Sequence, residues 1–274
     1  MNTSASRIQL LGLPQDNNSS YLQGTAVAPN RIREAFFCDS ANLWTETGFD
    51  LSDSSYWNDA GDVGLDGKSG EVAFNQIRTS VAALIAESHS VLSMGGDHSV
   101  SYPAILAHAE AHAGLNILHI DAHPDLYGDM LDNPYSHASP FARLMESGKI
   151  NRLVQVGIRT LNGHQREQAS KFGVEIHEMR DLSGVAGLSF DGPVYMSIDL
   201  DALDPAFAPG VSHYEPGGLS TRQVLNIIHN FGGKLVGADV VELNPLRDPG
   251  GITAMVAAKI VKELMGRLII NRTA

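Results

Sequence analysis

Three short clusters of aspartate and histidine carry the chemistry that this sequence offers. They read Gly-Gly-Asp-His-Ser at 95–99, Asp-Ala-His-Pro-Asp at 121–125 and Asp-Leu-Asp-Ala-Leu-Asp-Pro at 199–205. Side chains alternate between the two faces of a strand, so alternate residues of the second and third clusters begin on one face of their strand. Two carboxylates about 4 Å apart without a cation would repel by about 4 kcal/mol at an effective dielectric constant of about 20. The clusters therefore predict a divalent metal site.

The ligands of this site must be nitrogen and oxygen atoms. Cys38 is the single cysteine, which excludes thiolate-rich sites and any intrachain disulfide. Each cluster has an ordinary structural alternative, because Asp-x-Asp at a strand end usually caps a turn and a histidine after two glycines can serve its own loop. The presence of all three clusters in one chain favours the metal site.

The clusters follow apolar runs at 90–94, 115–120 and 194–198. Further strand-like runs lie at 8–13, 153–158, 174–177 and 235–241, and helical patterns lie at 72–87, 102–113, 139–147, 165–172, 221–231 and 253–268. This alternation predicts an α/β fold with three αβα layers and a mostly parallel central sheet. Residues 40–70, rich in Gly, Asp and Ser, are predicted as a long surface excursion. Because sites of such folds lie beyond the carboxyl ends of the strands, we expect the clusters to share one site.

Composition limits the other possibilities. We expect the 274 residues to form a single catalytic domain, residues 1–274. The net charge of −12, without a block of Lys or Arg, argues against nucleic acid or an anionic membrane as partner and suits a small cationic substrate. Neither a signal peptide at the N-terminus nor an apolar stretch of about 18 residues is present, which indicates a cytoplasmic protein.

The three clusters resemble the motifs of the arginase and agmatinase (ureohydrolase) family. Other segments share the resemblance, which is strongest to plant-type arginases and covers most of the chain. They are Tyr-Ser-His-Ala-Ser at 135–139, Ala-Pro-Gly-Val-Ser-His at 208–213, Glu-Pro-Gly-Gly-Leu at 215–219, Gly-Ala-Asp-Val-Val-Glu-Leu-Asn-Pro at 237–245 and the segment 252–264. The resemblance implies the arginase-like fold and a homo-oligomer.

The resemblance also implies two manganese ions. The first would be held by His98, Asp121, Asp125 and Asp199, and the second by Asp121, His123, Asp199 and Asp201. Four carboxylates balance two divalent ions, and oxygen-rich octahedral coordination suits manganese better than zinc. Nickel is the alternative metal. Asp97 and Asp204 would cap loops or orient the ligand histidines.

The catalytic residues implied by the resemblance are His137, Asp125 and Glu242. Two metal ions would lower the pKa of a shared water, which Asp125 would hold. Glu242 would pair with the guanidinium of the substrate, and His137 would protonate the departing amine. The ordinary alternatives are a solvated strand end for Glu242 and a helix N-terminal residue for His137.

The substrate implied is a guanidino compound, cleaved to urea and an amine. L-Arginine, giving L-ornithine, is favoured because Tyr127, Ser136 and Asn162 match plant-type arginases. The predicted substrate contacts are Asn133, His137, Asn162, His213 and Glu242. Agmatine or a guanidino acid is the alternative, because the loops depart from animal-type arginases, and a catalytically silent metal-binding relative is the further alternative.

Overall fold

The computed structural model describes residues 7–273, so the first residues, on which the absence of a signal peptide was argued, lie outside the described part. A single sheet of eight strands runs through it, with every ladder parallel and the spatial order β2-β1-β3-β8-β7-β4-β5-β6. The strands are β1 Ile8–Leu13, β2 Trp57–Asp62, β3 Ser90–Gly95, β4 Leu115–Ile120, β5 Ile150–Ile158, β6 Glu175–Glu178, β7 Ser189–Asp199 and β8 Gly232–Val241. The predicted parallel sheet is confirmed.

Helices cover both faces of this sheet. They are α1 Ala28–Phe36, α2 Gly70–Ala86, α3 Ser101–Ala111, α4 Pro140–Glu146, α5 Gly163–Phe172, α6 Thr221–Asn230 and α7 Ile252–Thr273. Neighbouring strand residues enter opposite cores: Met196 packs in the core beneath α1, α6 and α7, whereas Tyr195 packs in that beneath α3, α4 and α5. The predicted three-layer αβα architecture is therefore confirmed. Within the described residues, no helix is long and apolar enough to cross a membrane.

The sequence patterns did not predict two of the elements, β2 and α1. The predicted excursion at 40–70 contains β2, an edge strand whose residues are mostly exposed and polar, so no apolar run announced it. Helix α1 precedes it and buries Ile32 and Phe36, four residues apart. Arg33 of α1 joins the two elements through Asp59 at 2.8 Å and Asp62 at 2.6 Å. The surface excursion was thus wrong for this part of the segment.

The strand order brings the three clusters together. Strands β3, β8, β7 and β4 are consecutive neighbours in the sheet, and all run in the same direction. Their carboxyl ends therefore lie side by side, and each is followed by one of the clusters or by Glu242. Four neighbouring strands can deliver side chains to one place.

Gly96 fixes the first cluster against the end of β1. Its N–H donates to the carbonyl oxygen of Leu13 at 3.0 Å, and a Cβ at this position would lie 1.7 Å from the carbonyl oxygen of Gln15. We expect Gly96→Ala to lower the free energy of unfolding by about 3 kcal/mol or more, because backbone would have to move. Chemical denaturation measures this change.

Gly163→Ala is the matched control, because its Cβ would meet no atom within 4 Å. This variant should unfold like the wild type or slightly later, since alanine favours the helix. Equal stability of the two variants would show that the close approach at Gly96 does not matter.

Candidate active site

The ring nitrogen Nδ1 of His98 marks the first group of candidate ligands. It lies 3.1 Å from a carboxylate oxygen of each of Asp121, Asp125 and Asp199, and all four side chains are buried. Within the described residues this nitrogen makes no hydrogen bond. A single N–H could point at only one of three oxygens, whereas a cation would bind the nitrogen lone pair and the three carboxylates together. The donor set therefore fits a divalent metal ion.

A hydrogen-bond chain holds a proton on Nε2 of His98 and so directs its Nδ1 to the carboxylates. Tyr195 and Ser197 donate their hydroxyl protons to the buried Asp239, at 2.9 and 2.7 Å. The Ser197 oxygen also lies 3.0 Å from His98 Nε2 and, with its proton already donated, accepts from the ring. The ring proton is therefore on Nε2, which is the tautomer that a ligand bound through Nδ1 requires.

His123 marks a second group of candidate ligands. Its Nδ1 lies 3.0 Å from Asp201 Oδ2 and 3.5 Å from Asp121 Oδ1. Asp121 turns its other oxygen, Oδ2, to His98. One buried carboxylate therefore belongs to both groups, as expected for a residue that bridges two metal ions.

Two of the carboxylates, those of Asp199 and Asp201, are too crowded to keep their charges easily without cations. Burial raises the pKa of Asp199 well above its usual range, and the charges of Asp201 and Asp121 raise it further. Burial likewise raises the pKa of Asp201 to about 6, although the neighbouring His123 opposes the shift. Bound divalent ions would reverse this situation, because each stabilises the ionised form of the carboxylates around it.

Glu242 follows β8 and turns its carboxylate towards His98. Its Oε1 accepts the backbone N–H of His98 at 2.9 Å, while Oε2 is buried and accepts no hydrogen bond from the described residues. Glu242 has a φ of 65° and Asp125 a φ of 50°, a region that costs a residue other than glycine about 1–3 kcal/mol. Such strain concentrates at functional sites, and the free Oε2 can accept from a cationic donor.

His137 joins Glu242 to a serine that sequence reasoning missed. Its Nδ1 lies 3.1 Å from Glu242 Oε1, and its Nε2 lies 2.9 Å from the hydroxyl oxygen of Ser20. Burial lowers the pKa of His137, but the hydrogen bond and charge of Glu242 outweigh it and raise the pKa to about 9. His137 can thus donate a proton near neutral pH. Ser20 lies in the loop after β1, where no motif announces it.

A cavity of about 200 Å³ opens onto both ligand groups, His137 and Glu242. The rest of its wall includes Ser20, Tyr127, Met130, Thr160, His213 and Glu215. The ring of His213 lies 5.2 Å from that of His137, and its contact with a substrate stays a prediction. A larger cleft of about 1620 Å³ lies at the amino ends of the strands, but no candidate ligand group of the described chain faces it. Chemistry rather than size identifies the active site.

Asn133 and Asn162 do not line this cavity among the residues described, in contrast to the expected direct substrate contacts. Asn133 donates to Asn18 at 3.2 Å and accepts the N–H of Tyr135 at 3.0 Å. Asn162 caps α5 with its carbonyl oxygen and donates to the hydroxyl of Tyr127 at 2.6 Å. Each amide bonds to protein neighbours, and a direct contact of either residue with the substrate stays a prediction.

Asp97 and Asp204 hold loops. Asp97 is buried and accepts the backbone N–H groups of Asn18, at 2.9 Å, and Ser99, at 3.1 Å. Asp204 accepts from the backbone of residues 206, 217 and 218, which ties the loop beside the cavity to the end of β7. These contacts keep the first and third clusters in place.

A parallel α/β sheet with two linked carboxylate and histidine groups at its carboxyl edge defines a metal-dependent enzyme. The sequence model that describes the Arginase family matches residues 6–266, and the chain belongs to this family. The family implies a binuclear metal centre and a guanidino substrate, so the protein is a ureohydrolase. The resemblance drawn from the motifs is confirmed.

Comparison with individual relatives supports the same family. The chain is 51% identical over 280 residues to "Arginase 1, mitochondrial" of Arabidopsis thaliana, which covers 94% of this chain and 80% of that protein. The solved arginase of Medicago truncatula superposes with a TM-score of 0.91 at 48% identity, covering 96% of this chain and 88% of that chain. The proclavaminate amidinohydrolase of Streptomyces clavuligerus is more distant, with 34% identity over 277 residues that cover 94% of this chain and 87% of that protein.

The expected cytoplasmic location is wrong. The names of the Arabidopsis and Medicago relatives place those arginases in mitochondria. The expectation relied on the absence of a signal peptide and of a membrane helix. Neither absence argues against an organelle, because import leaders are amphipathic segments rich in Arg and Ser rather than long apolar ones.

The His137–Glu242 pair predicts a pH-dependent stability in metal-free protein. A histidine whose folded pKa is raised stabilises the fold fully below its unfolded pKa and loses that contribution as the pH rises through the folded value. Relative to His137→Gln, wild-type protein should therefore gain up to about 3 kcal/mol below pH 6.5 and lose this gain as the pH passes about 9. Urea unfolding with a chelator present, from about pH 6 to about pH 10, measures the difference.

Glu242→Gln provides the control background. In this background the negative charge beside His137 is absent. The stability difference between His137 and His137→Gln should therefore not decline between these pH values. A gain in the wild type that stays constant or grows with pH would contradict the pairing.

Proposed function

We propose that the protein hydrolyses L-arginine to L-ornithine and urea at a binuclear manganese centre. The observation that carries the reaction type is the buried, unpartnered Oε2 of Glu242 beside the two ligand groups, because a guanidinium supplies the charged donors that this oxygen lacks. The similarity to plant arginases supports arginine as the substrate.

The proposed first ion binds His98, Asp121, Asp125 and Asp199, and the second binds Asp121, His123, Asp199 and Asp201. Convergence of the first set on His98 Nδ1, and the orientation of the two Asp121 oxygens, support this division. A set of mainly carboxylate oxygens favours manganese, with nickel as the alternative.

Bound at these residues, two divalent ions would lower the pKa of a shared water and so supply the nucleophile. The protein positions the other reactant. The hydrogen bond from His137 outweighs burial and lowers the pKa of Glu242, which therefore remains charged to hold the guanidinium. Asp125 would accept a hydrogen bond from the water as its oxygen forms a bond to the guanidinium carbon. His137 would give a proton to the amine nitrogen as the C–N bond to that carbon breaks, and the proton lost by the water would restore His137, which leaves urea and the protonated amine.

Tyr127 supports arginine over agmatine, which lacks the α-carboxylate. Asn162 donates to the Tyr127 oxygen at 2.6 Å, so the phenolic proton itself is not used in that bond. The ring stacks on His164 with 5.6 Å between centroids, which holds the hydroxyl at the cavity wall. The hydroxyl of Thr160, in contrast, donates to the carbonyl of Ala122 at 3.1 Å. Tyr127 is therefore a donor available to a substrate carboxylate.

We further propose that residues 1–274 form one catalytic domain and that the enzyme assembles as a homo-oligomer, as the family resemblance implies. The net charge of −12 supports a small cationic substrate and opposes nucleic acid or anionic lipid as partner.

A substrate and metal panel tests the proposed function. Chelated protein reloaded with manganese should release urea from L-arginine faster than from agmatine, guanidinobutyrate, guanidinopropionate or guanidine, and faster than after loading with nickel. A preference for agmatine would contradict the arginase assignment. Metal uptake without urea from any substrate would instead favour the catalytically silent relative.

Tyr127→Phe tests the specificity. A hydrogen bond to a charged group contributes about 1.5–3 kcal/mol, so kcat/KM for L-arginine should fall about 10- to 100-fold. For agmatine it should change less than about threefold, since agmatine offers no carboxylate. Tyr135→Phe, outside the cavity wall, is the matched control. Equal losses with both substrates would rule out carboxylate recognition by Tyr127.

A further inference from the structure

His119 lies fully buried beside Asp121 and is held by two neighbours. It belongs to β4 and pairs in register with Gln155 of β5, which is also fully buried. Its Nε2 lies 2.8 Å from Asp121 Oδ2, and its Nδ1 lies 2.9 Å from Gln155 Nε2. The ring stacks on Phe141 with 3.8 Å between centroids. This network touches a proposed metal ligand without facing the substrate cavity.

The directions of these hydrogen bonds follow from Pro124, within the second cluster. Its carbonyl oxygen lies 2.6 Å from the Gln155 side chain and can only accept, so the Gln155 atom facing it is the amide nitrogen. That nitrogen has a second hydrogen, which points to His119 Nδ1. Nδ1 therefore carries no proton, the ring proton lies on Nε2, and His119 donates to Asp121.

The same assignment excludes His119 as a metal ligand. His98, His119 and Asp121 lie close enough together to form a ligand group by distance alone. However, one ring nitrogen of His119 accepts from Gln155 and the other donates to Asp121, so neither has a lone pair for an ion.

Asp121 thus receives a donor on each oxygen. His119 Nε2–H reaches Oδ2, and the backbone N–H of His123 reaches Oδ1 at 2.6 Å. Two donors on opposite oxygens prevent the carboxylate from rotating. Oδ2 then stays turned to His98 and Oδ1 to His123, the orientation that a bridging ligand needs.

We infer that His119, with its tautomer set by Gln155 and Pro124, is a positioning residue that holds Asp121 in its bridging orientation. The inference rests on the proposed metal centre. It assigns a structural role to the carbonyl group of Pro124 in the second cluster. It also predicts that metal affinity depends on the Nε2–H of His119 rather than on the ring itself.

Manganese binding to three proteins tests this inference. Removing such a supporting hydrogen bond typically costs about 10–100-fold in metal affinity, and we expect this loss for His119→Phe, which keeps a ring against Phe141. His119→Gln retains an N–H near the position of Nε2 and should bind within about threefold of the wild type. Affinity is measured on chelated protein from the manganese-dependent shift in Tm and from the manganese retained after desalting.

His89→Gln is the control, because it makes the same change at a largely buried histidine side chain that precedes the amino end of β3, away from the site. It should retain wild-type affinity. The Tm of each variant with chelator separates loss of metal from loss of fold. Equal binding by His119→Phe and wild type, or an equal loss in His119→Gln and His119→Phe, would overturn the positioning role.

Wild-type protein supplies a second readout that depends on no variant. The ¹⁵N NMR spectrum of its histidine rings, recorded without metal, should show His119 protonated on Nε2. Protonation on Nδ1 would overturn the inference while leaving the metal centre intact. Failure of the wild type to take up manganese would contradict the proposed centre itself.

Discussion

Mutual repulsion among buried carboxylates is the constraint on which the site depends. Asp121, Asp125, Asp199 and Asp201 are all buried at one edge of the sheet, where water screens them poorly. At a separation of about 4 Å each pair costs about 4 kcal/mol at an effective dielectric constant of about 20, unless cations lie between them. A fold that gathers these side chains is therefore built around positive charge. The close packing of negative carboxylates is thus also what makes the site suitable for divalent ions.

Hydrogen bonds behind the ligands give this charge its geometry. Asp239 and Ser197 set the ring proton of His98, as Pro124 and Gln155 set that of His119. In both hydrogen-bond networks one oxygen can only accept: the carboxylate of Asp239 in the first and the carbonyl of Pro124 in the second. That oxygen determines the direction of every hydrogen bond that follows. The candidate ligands are therefore oriented by the strands packed beneath the site, before any metal binds.

Substrate choice has a different structural origin. The ligands come from strand ends in the centre of the sheet, whereas Ser20, Tyr127 and Glu215 reach the cavity from surrounding loops. Loops can change without disturbing the centre, which is why relatives named as arginases and as a proclavaminate amidinohydrolase share one fold. On the proposed function, arginine specificity would depend on donors such as Tyr127, and not on the residues that activate the water.

Sequence by itself determined the parallel α/β fold, the three clusters and their meeting at one edge, because strand periodicity and the alternation of strands with helices are local signals. The edge strand β2 was missed since its polar residues lack an apolar run. Only the tertiary structure decided that Ser20 contacts His137, 117 residues away, and that Gln155 supports His119. Such contacts depend on strand order and loop paths, which no short window of sequence encodes. The tertiary structure likewise showed which protein neighbours Asn133 and Asn162 bond to, since those partners come from distant loops.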